Sequence, residues 1–362
     1  MNLKQLAQQL GLSQTTVSRA LNGYPEVSDA TRQRVQDAAR QFNYRPNARA
    51  RSLATGSAMV VGHVIPVSNR HEMVNPVFMD FVAGAGESYT RAGYDILLSV
   101  VTDDDEAATY RRLAEGGIVD GVIVHGPRHE DRRIPLLQSL GLPFVVHGRS
   151  QAADPAFSWL DIDNTRSFRR ATGLLTDLGH RRIALMNGLE TMDFAQRRRE
   201  GYLQGLEDAG IKPDSSLMHS DEMTEDFGHD IARLLLDRPP ETRPTAFLVS
   251  SCITALGVRR AVEARGLRVG RDVSILTHDD DLSYLGNRGD VPAFTATRSS
   301  VRQAGRRCAE ILLDLIASRD RPVPSPPVQE LWESQLLIGK STGPARAPGP
   351  RQPPDTGSED DA

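Results

Sequence analysis

The chain has 362 residues, a length that predicts two or three domains. Charged residues make up 25% and apolar residues 39%, as in ordinary soluble proteins, and no run of 18 apolar residues predicts a membrane span. The two cysteines, Cys252 and Cys308, exclude a disulfide scaffold and a cysteine-cluster zinc site. Because the N-terminus also lacks the apolar core of a secretory signal, we expect a cytoplasmic protein.

The net charge of −4 is unevenly distributed along the chain. Residues 1–56 contain eight basic and three acidic side chains and carry a charge of +5, which leaves −9 for the remainder. A small basic segment on an acidic chain is typical of a nucleic-acid-binding module at one end. On charge alone, a surface bias without function is the alternative.

The N-terminal segment, residues 1–46, predicts three short helices. Candidates for the first two are Leu3–Leu10 and Gln14–Leu21, separated by a three-residue turn. In that turn Gly11 suits the left-handed backbone of a sharp helix end, and Ser13 suits the N-cap of the second helix. Such a helix pair indicates a helix-turn-helix. A third helix is predicted to have Ser28 at its N-cap and Val35, Ala38, Ala39 and Phe42 on its inward face.

The outward face of the second predicted helix carries short hydrogen-bonding groups and one guanidinium. A recognition helix needs such groups because it reads base edges in the major groove. The alternative is an ordinary polar surface on a three-helix bundle. The residues on this face are Gln14, Thr15, Ser18, Arg19 and Asn22.

Residues 58–340 predict an α/β architecture. Short runs rich in Val, Ile and Leu alternate with amphipathic helical stretches, which predicts parallel sheets with helices on both faces. A segment of about 280 residues is longer than one hydrophobic core usually serves, so we expect two lobes. In such folds we expect the ligand site in the cleft between the lobes. The predicted strands are 60–65, 96–101, 121–125, 144–147, 183–186, 246–249 and 273–276.

Two further segments are predicted to lack a core of their own. Residues 47–57 form a connector rich in small and basic residues. Residues 341–362 contain five prolines, three glycines and an acidic end, and we predict a disordered tail.

Three stretches near the N-terminus, residues 3–23, 27–32 and 43–56, resemble LacI/GalR-type transcriptional regulators, and the similarity extends to about residue 340. We call the N-terminal segment, residues 1–46, the head. It implies that Gln14 and Thr15 select the operator sequence and that Arg19 contacts a base or phosphate. It also implies a hinge helix at residues 47–57 and a homodimer on a pseudo-palindromic operator. Further DNA-backbone contacts are implied for Ser13, Thr16, Ser18, Asn22, Ser28, Thr31 and Asn47, with Leu53 as a minor-groove wedge and Ala50 one turn before it.

For the body, the resemblance implies two lobes like those of periplasmic sugar-binding proteins, with a small-molecule effector between them. Arg198 and Asp279 match the family's ligand-binding arginine and carboxylate, and Ser251 stands where many members have asparagine. An arginine guanidinium donates hydrogen bonds and a carboxylate accepts them, so together they suit the hydroxyl groups of a sugar. The effector contacts implied or proposed are Asn75, Phe78, His147, Arg198, Ser251 and Asp279.

The effector and the regulatory logic stay open at this point. The motifs after the predicted strands look closest to regulators of α-glucoside utilisation genes, which favours a repressor released by a sugar. A corepressor-type regulator that binds a nucleobase is the alternative. A DNA enzyme and a secreted sugar-binding protein are less consistent, because we find no catalytic constellation, metal-ligand set, cofactor motif or signal peptide.

Overall fold

The computed structural model forms two compact units, Met1–Met59 and Val60–Ala362. The predicted contacts at Asn22, Asn47, Ala50 and Leu53, and most of the predicted hinge helix, lie outside the residues that the structure describes. The described residues are 1–21, 23–44, 56–66, 75–151, 156–319, 321 and 325–346.

The N-terminal unit is a three-helix domain. Helices α1 (Leu3–Leu10) and α2 (Gln14–Leu21) have the predicted bounds, and α3 (Asp29–Gln41) starts after the predicted N-cap, Ser28. Gly11 ends α1 with φ of 64° and donates its N–H back to Ala7 and Gln8, as a C-cap does. One prediction was wrong: Phe42 follows α3 and is 37% exposed instead of facing inward. The buried core of this unit is Leu6, Ala7, Leu10, Val17, Ala20, Val27, Val35, Ala38 and Ala39.

The body is α/β, as predicted, and its described residues form two six-stranded sheets. Its helices are α4 (Pro76–Ala92), α5 (Glu106–Glu115), α6 (Arg133–Leu140), α7 (Asn164–Asp177), α8 (Asp193–Asp208), α9 (Glu225–Leu236), α10 (Cys252–Glu263) and α11 (Val301–Ser318). Its strands are β1 (Val60–Pro66), β2 (Asp95–Val101), β3 (Gly121–His125), β4 (Phe144–His147), β5 (Trp159–Ile162), β6 (Ile183–Asn187), β7 (Met218–Ser220), β8 (Ala246–Val249), β9 (Ser274–Asp279), β10 (Thr295–Arg298), β11 (Gln329–Trp332) and β12 (Gln335–Leu337).

Each sheet is the centre of one lobe. The first has the strand order β11-β5-β4-β3-β1-β2 and is parallel throughout. The second has the order β12-β10-β9-β8-β6-β7, and its edge strand β12 is antiparallel to β10. Within the described residues the chain passes between the lobes three times, after β5, after β10 and after β11. The predicted two-lobed architecture is therefore confirmed.

Sequence patterns identified the buried strands better than the edge strands. The runs at 121–125, 144–147 and 246–249 coincide with β3, β4 and β8. The run at 96–101 is part of β2, but β2 is an edge strand whose Leu98 and Val100 are 40% and 48% exposed, so its predicted burial was wrong. Five strands, β5, β7, β10, β11 and β12, were missed.

The body continues beyond its predicted end at residue 340. Ser341 is buried, donates its hydroxyl proton to the Ile275 carbonyl and accepts the Thr295 N–H at 2.8 Å. The Gly343 carbonyl accepts from Ser274 at 3.1 Å. Residues 341–346 therefore complete the second lobe, which corrects the start of the predicted tail. Residues 347–362 lie outside the part of the chain that the structure describes.

Helices α7 and α8 pack in unusually close contact at Gly201. A Cβ atom there would lie 2.1 Å from the Thr165 carbonyl oxygen of α7, so alanine requires the helices to separate. We expect Gly201→Ala to lower the free energy of unfolding by about 1–3 kcal/mol, as overpacking does, in urea denaturation. The control is Gly173→Ala in α7, where a Cβ has open space; the helix propensity of alanine predicts a change of about 0.5–1 kcal/mol in the stabilising direction. Equal effects of the two substitutions would contradict this account.

Candidate functional site

The described residues predicted to bind DNA cluster around α2 and the start of α3. Gln14, Thr15 and Arg19 are exposed on α2. The Ser13 hydroxyl accepts the Thr16 N–H at 3.0 Å, so Ser13 is the predicted N-cap, and the two hydroxyl oxygens are 2.8 Å apart. This leaves the first two turns of α2 with a polar outer surface and fixed hydroxyl positions.

The start of α3 repeats this arrangement. The Ser28 hydroxyl accepts the Thr31 N–H at 3.4 Å and lies 2.9 Å from the Thr31 hydroxyl. Arg34 reaches across to α1 and donates from Nη2 to the Leu10 carbonyl at 2.7 Å, which fixes α3 against the helix pair. Hydroxyl groups beside the free N–H groups of a helix start are suited to phosphate oxygens.

The body contains a cavity of about 1020 Å³, including its open mouth, between the two lobes. It lies where the strands of both sheets end, the usual ligand position in such folds. First-lobe side chains that line it are Asn75, Val77, Phe78, Phe81, His125, Pro127, His147, Asp161, Ile162, Val301 and Ala304. Side chains associated with the second lobe or the crossings are Asn164, Phe194, Arg198, Met223, His278, Asp280, Ser299 and Ser300.

Arg198 lines this cleft, as predicted, and its guanidinium is held rigidly. Its Nε donates to Asn164 Oδ1 at 2.8 Å and its Nη1 to the Ser250 carbonyl at 2.7 Å. The rings of Phe168 and Phe194 lie 5.2 and 4.9 Å from its central carbon. Its Nη2 makes no hydrogen bond to the described residues and is available to a ligand. Burial lowers the pKa of Arg198 to about 10, so it is charged at neutral pH.

The second-lobe carboxylate that lines the cleft is Asp280 rather than the predicted Asp279. Asp279 is buried in β9 and accepts two hydrogen bonds from Arg298, at 2.8 and 2.9 Å, so both its role and its direction differ from the prediction. Asp280 lines the cavity and lies 3.4 Å from His278 Nε2. Burial would raise the pKa of Asp280, but His278 and Arg198 hold it below its usual value. Asp280 therefore supplies a charged acceptor.

Ser251 is not part of the cleft lining. Its hydroxyl accepts the Ile253 N–H at 3.1 Å and caps the start of α10, and the residue is buried. The adjacent Ser250 has the closer relation to the cleft, because its carbonyl accepts a hydrogen bond from the lining residue Arg198. The predicted direct contact at Ser251 is thus replaced by a structural role.

Histidines form much of the first-lobe wall. His147 lines the cavity as predicted, with its ring 4.4 Å from that of Phe81. His125 also lines it and was missed, although it ends β3 as His147 ends the adjacent β4. Burial lowers the pKa of His147 to about 4, with a small opposing effect of Asp280, and burial also lowers the pKa of His125. Both rings are therefore uncharged at neutral pH.

Aromatic side chains of the body differ in their relation to the cavity. Phe78 and Phe194 line the cavity, whereas Tyr284 is 97% exposed. Trp159 lies beneath Arg149, with 5.4 Å from the guanidinium carbon to the ring, and is not among the lining residues. Asn75 lines the cavity and caps α4 by accepting the Val77 N–H at 3.0 Å, which orients the helix that carries Phe78.

Direct contacts join the two lobes. The Asp193 N–H donates to the Pro127 carbonyl at 2.9 Å, and His129 Nδ1 lies 3.3 Å from the Asp193 carboxylate. The buried Asp80 of α4 accepts from the N–H and hydroxyl of Ser283 at 2.7 and 2.6 Å. The structure therefore has its lobes in contact around the cavity.

Comparisons with known proteins assign the family. Residues 2–47 match the model described as bacterial regulatory proteins, lacI family, and residues 172–342 match the periplasmic binding protein-like domain. The HTH-type transcriptional regulator AglR of Rhizobium meliloti (strain 1021) is 44% identical over 358 residues, which cover 98% of this chain and 99% of that protein. The chain belongs to the LacI family. It is accordingly a DNA-binding transcriptional regulator.

Other LacI-family relatives agree with this assignment. The HTH-type transcriptional regulator CelR of Thermobifida fusca is 31% identical and covers 94% of this chain and 97% of its own length. A solved CelR–cellobiose complex is 30% identical, with a TM-score of 0.68 and coverage of 94% and 99%. A lac repressor dimer bound to operator, at 24% identity and a TM-score of 0.77, supports the fold and covers 95% and 99%.

Two properties of the described part of the chain bear on other protein classes. None of its helices is long and apolar enough to span a bilayer. The described residues contain no group of three His, Cys, Asp or Glu side chains arranged to hold a metal ion.

Proposed function

We propose that this LacI-family regulator is a cytoplasmic repressor of sugar-utilisation genes, in particular those for α-glucosides. In this proposal a sugar bound between the lobes controls the affinity of the head for operator DNA. The observation that carries the proposal is the cleft itself, which combines a fixed arginine, a carboxylate and aromatic faces in one cavity.

The chemistry of the cleft favours an uncharged polyhydroxyl ligand. Arg198 offers donors, Asp280 offers acceptors, and Phe78 and Phe194 offer apolar faces for the C–H side of a pyranose. The neighbouring histidines are uncharged at neutral pH, so the wall around His125 and His147 does not add the positive charge that a phosphate would need. The cellobiose bound by the relative CelR is a neutral disaccharide of this class.

Control of DNA binding is proposed to use the three crossings between the lobes. Asn164 lies directly after the first crossing and holds Arg198, and it donates from Nδ2 to the Asp161 carboxylate before the crossing, at 3.4 Å. A ligand on Arg198 is therefore linked to the segment about which the lobes would rotate. An effector shifts this equilibrium only through its different affinity for the two lobe arrangements.

The proposed DNA contacts follow the head geometry. Gln14 and Thr15 read base edges, and Arg19 contacts a base or a phosphate. Backbone contacts are proposed for Ser13, Thr16, Ser18, Ser28 and Thr31. Further contacts are proposed at Asn22, Asn47, Ala50 and Leu53, and they include insertion of a hinge helix into the minor groove. These four residues lie outside the part of the chain that the structure describes.

We also propose that the regulator binds a pseudo-palindromic operator as a homodimer. Two-fold symmetry of the protein requires matching half-sites in the DNA. The exposed Leu98 and Val100 at the edge of the first-lobe sheet support self-association, because an apolar strand edge is normally covered.

The effector proposal is tested by ligand-dependent stability and operator release. Maltose, sucrose and trehalose are added to the protein in a thermal-shift experiment and in fluorescence anisotropy with an operator selected from genomic fragments. We expect an α-glucoside to raise the melting temperature and to weaken operator binding. The proposal would be overturned if guanine or hypoxanthine raised the melting temperature and tightened operator binding while the sugars changed neither quantity.

We expect Arg19→Ala to weaken binding to the selected operator by about 10-fold or more, because a bidentate arginine contact contributes about 1–3 kcal/mol. If Arg19 contacts a phosphate, the slope of log affinity against log salt falls by about one. The measurement is anisotropy over a salt series. Arg111→Ala, an exposed arginine of α5 in the body, serves as the control and leaves both quantities unchanged. An unchanged affinity for Arg19→Ala would show that α2 is not the recognition helix.

A further inference from the structure

A fully buried histidine, His63 of β1, lies behind the cleft wall. Its Nδ1 is 2.9 Å from Nε2 of His125, the ring that lines the cavity. The second nitrogen of His63, Nε2, is buried and makes no hydrogen bond within the described residues. His63 does not line the cavity, so any effect on a ligand must pass through His125.

The ring plane of His125 is fixed by its neighbours. Phe78 and Phe81 contact it edge-on, with centroid distances of 5.0 and 4.8 Å and interplanar angles of 83° and 87°. Nε2 of His125 points to His63, and its Nδ1 makes no hydrogen bond to the described residues. Because the ring cannot turn without losing both aromatic contacts and the hydrogen bond, Nδ1 is the atom available to the cavity.

Only one proton can lie between the two uncharged rings, which leaves two arrangements. If His125 donates from Nε2, then His63 carries its own proton on Nε2, a buried N–H without a partner. If His63 donates from Nδ1, its Nε2 is a bare lone pair and His125 carries its proton on Nδ1. A buried N–H without an acceptor is the rarer and more costly of these groups in folded proteins. The second arrangement is therefore favoured.

We propose that His63 is a positioning residue that fixes the tautomer of His125, so that His125 donates a hydrogen bond from Nδ1 to an oxygen atom of the effector. This inference rests on the proposed sugar-binding function and adds a specificity element to it. The first-lobe wall then presents a donor, whereas Asp280 on the facing side presents an acceptor. A hydroxyl or ring oxygen fits at His125, and a ligand N–H group at the same position is rejected.

The surroundings favour the uncharged pair that this arrangement requires. Burial lowers the pKa of His63 to about 4. Burial lowers the pKa of His125 as well, and the neighbouring His63, His147 and Arg133 act in the same direction. Arg133 of α6 donates to the His125 carbonyl at 3.0 Å, and Asp280 raises the pKa of His147 against the effect of burial. Within the described residues, neither ring of the His63–His125 pair makes an ion pair or hydrogen bond with a carboxylate.

Nitrogen NMR tests the tautomers without any ligand, because the ¹⁵N shift of an imidazole nitrogen reports whether it carries a proton. The full-length protein is labelled with ¹⁵N-histidine, and long-range ¹H–¹⁵N spectra are recorded at pH 7 for wild type, His63→Asn and His63→Leu. We expect His125 with its proton on Nδ1 in wild type. Asparagine retains a nitrogen donor at the Nδ1 position and keeps the hydrogen bond to Nε2 of His125. Leucine removes this donor, so the ¹⁵N resonance of the bare Nε2 is expected to move to the higher shift of an imidazole nitrogen without a hydrogen bond.

A binding arm measures the consequence for recognition. Isothermal titration with maltose, sucrose and trehalose is expected to show about fivefold or greater loss of affinity in His63→Leu, as for one lost hydrogen bond, and near wild-type affinity in His63→Asn. A wild-type His125 protonated on Nε2, an Nε2 resonance unchanged by His63→Leu, or equal affinities in all three proteins would overturn the inference. If no sugar binds wild type, the proposed function fails, and the NMR result still decides the tautomer. If His63→Leu does not fold, the wild-type and His63→Asn spectra decide it.

Discussion

Replacing Asp280 by asparagine is expected to weaken binding of the effector by about 10- to 100-fold, because a hydrogen bond to a charged group contributes about 1.5–3 kcal/mol. Asp280 lines the cavity and supplies its charged acceptor, so the loss falls on ligand affinity. We expect the free energy of unfolding to change by about 1 kcal/mol or less. Isothermal titration with the sugar found by thermal shift and urea denaturation measure the two quantities.

The matched substitution, Asp279→Asn, is expected to give the opposite result. Asp279 is buried and holds Arg298 through two hydrogen bonds, and breaking such a pair costs about 3 kcal/mol or more of stability. The substitution is expected to change ligand affinity little, because Asp279 does not line the cavity. If Asp279→Asn abolished binding while Asp280→Asn did not, the assignment of the cleft carboxylate would be wrong.

Acid is expected to destabilise the body strongly between pH 6.5 and 4. Burial lowers the pKa values of His63 and His147 to about 4 in the folded state, whereas the unfolded value is about 6.5. The unfolded chain therefore binds more protons in this interval, and stability that is present above pH 6.5 is lost as the pH falls. Each of the two histidines contributes about 3 kcal/mol to this loss, a large part of the stability of an ordinary domain.

Urea denaturation at pH 7.5, 6 and 5 measures this dependence. His147→Gln removes one titrating group and is expected to reduce the slope of unfolding free energy against pH by about one proton. His229→Gln is the control: His229 lies on α9, is partly exposed and is 3.0 Å from Asp230. A free energy of unfolding that is constant from pH 7.5 to 5 would contradict the burial of uncharged histidines.

The sequence predicted the head almost completely because its determinants are local. Gly11, Ser13 and Ser28 mark helix ends by their own backbone and hydroxyl chemistry, and the apolar spacing defines the core. Strands buried on both faces, such as β3 and β8, were found for a similar reason. Edge strands such as β7 and β12 carry mixed residues, and only pairing with a neighbour makes them strands.

The cleft was predicted less well because it depends on which way each side chain points. Arg198 was identified through the family resemblance, and the structure explains its position, since Gly201 lets α8 approach α7 and so places Arg198 beside Asn164. Three consecutive aspartates follow Thr277-His278, and neighbouring side chains there point in different directions. Sequence alone therefore selected Asp279 instead of Asp280. His63 gave no signal because its role depends on a partner 62 positions away.

The hydrogen bonds between the lobes have a kinetic consequence. We expect the lobes to part at Pro127–Asp193 or at Asp80–Ser283 when a sugar enters or leaves. Exchange is then gated, and the observed association rate levels off at high sugar concentration at the rate of opening instead of rising without limit. Such a regulator responds to the sustained presence of its sugar and averages over brief fluctuations in supply.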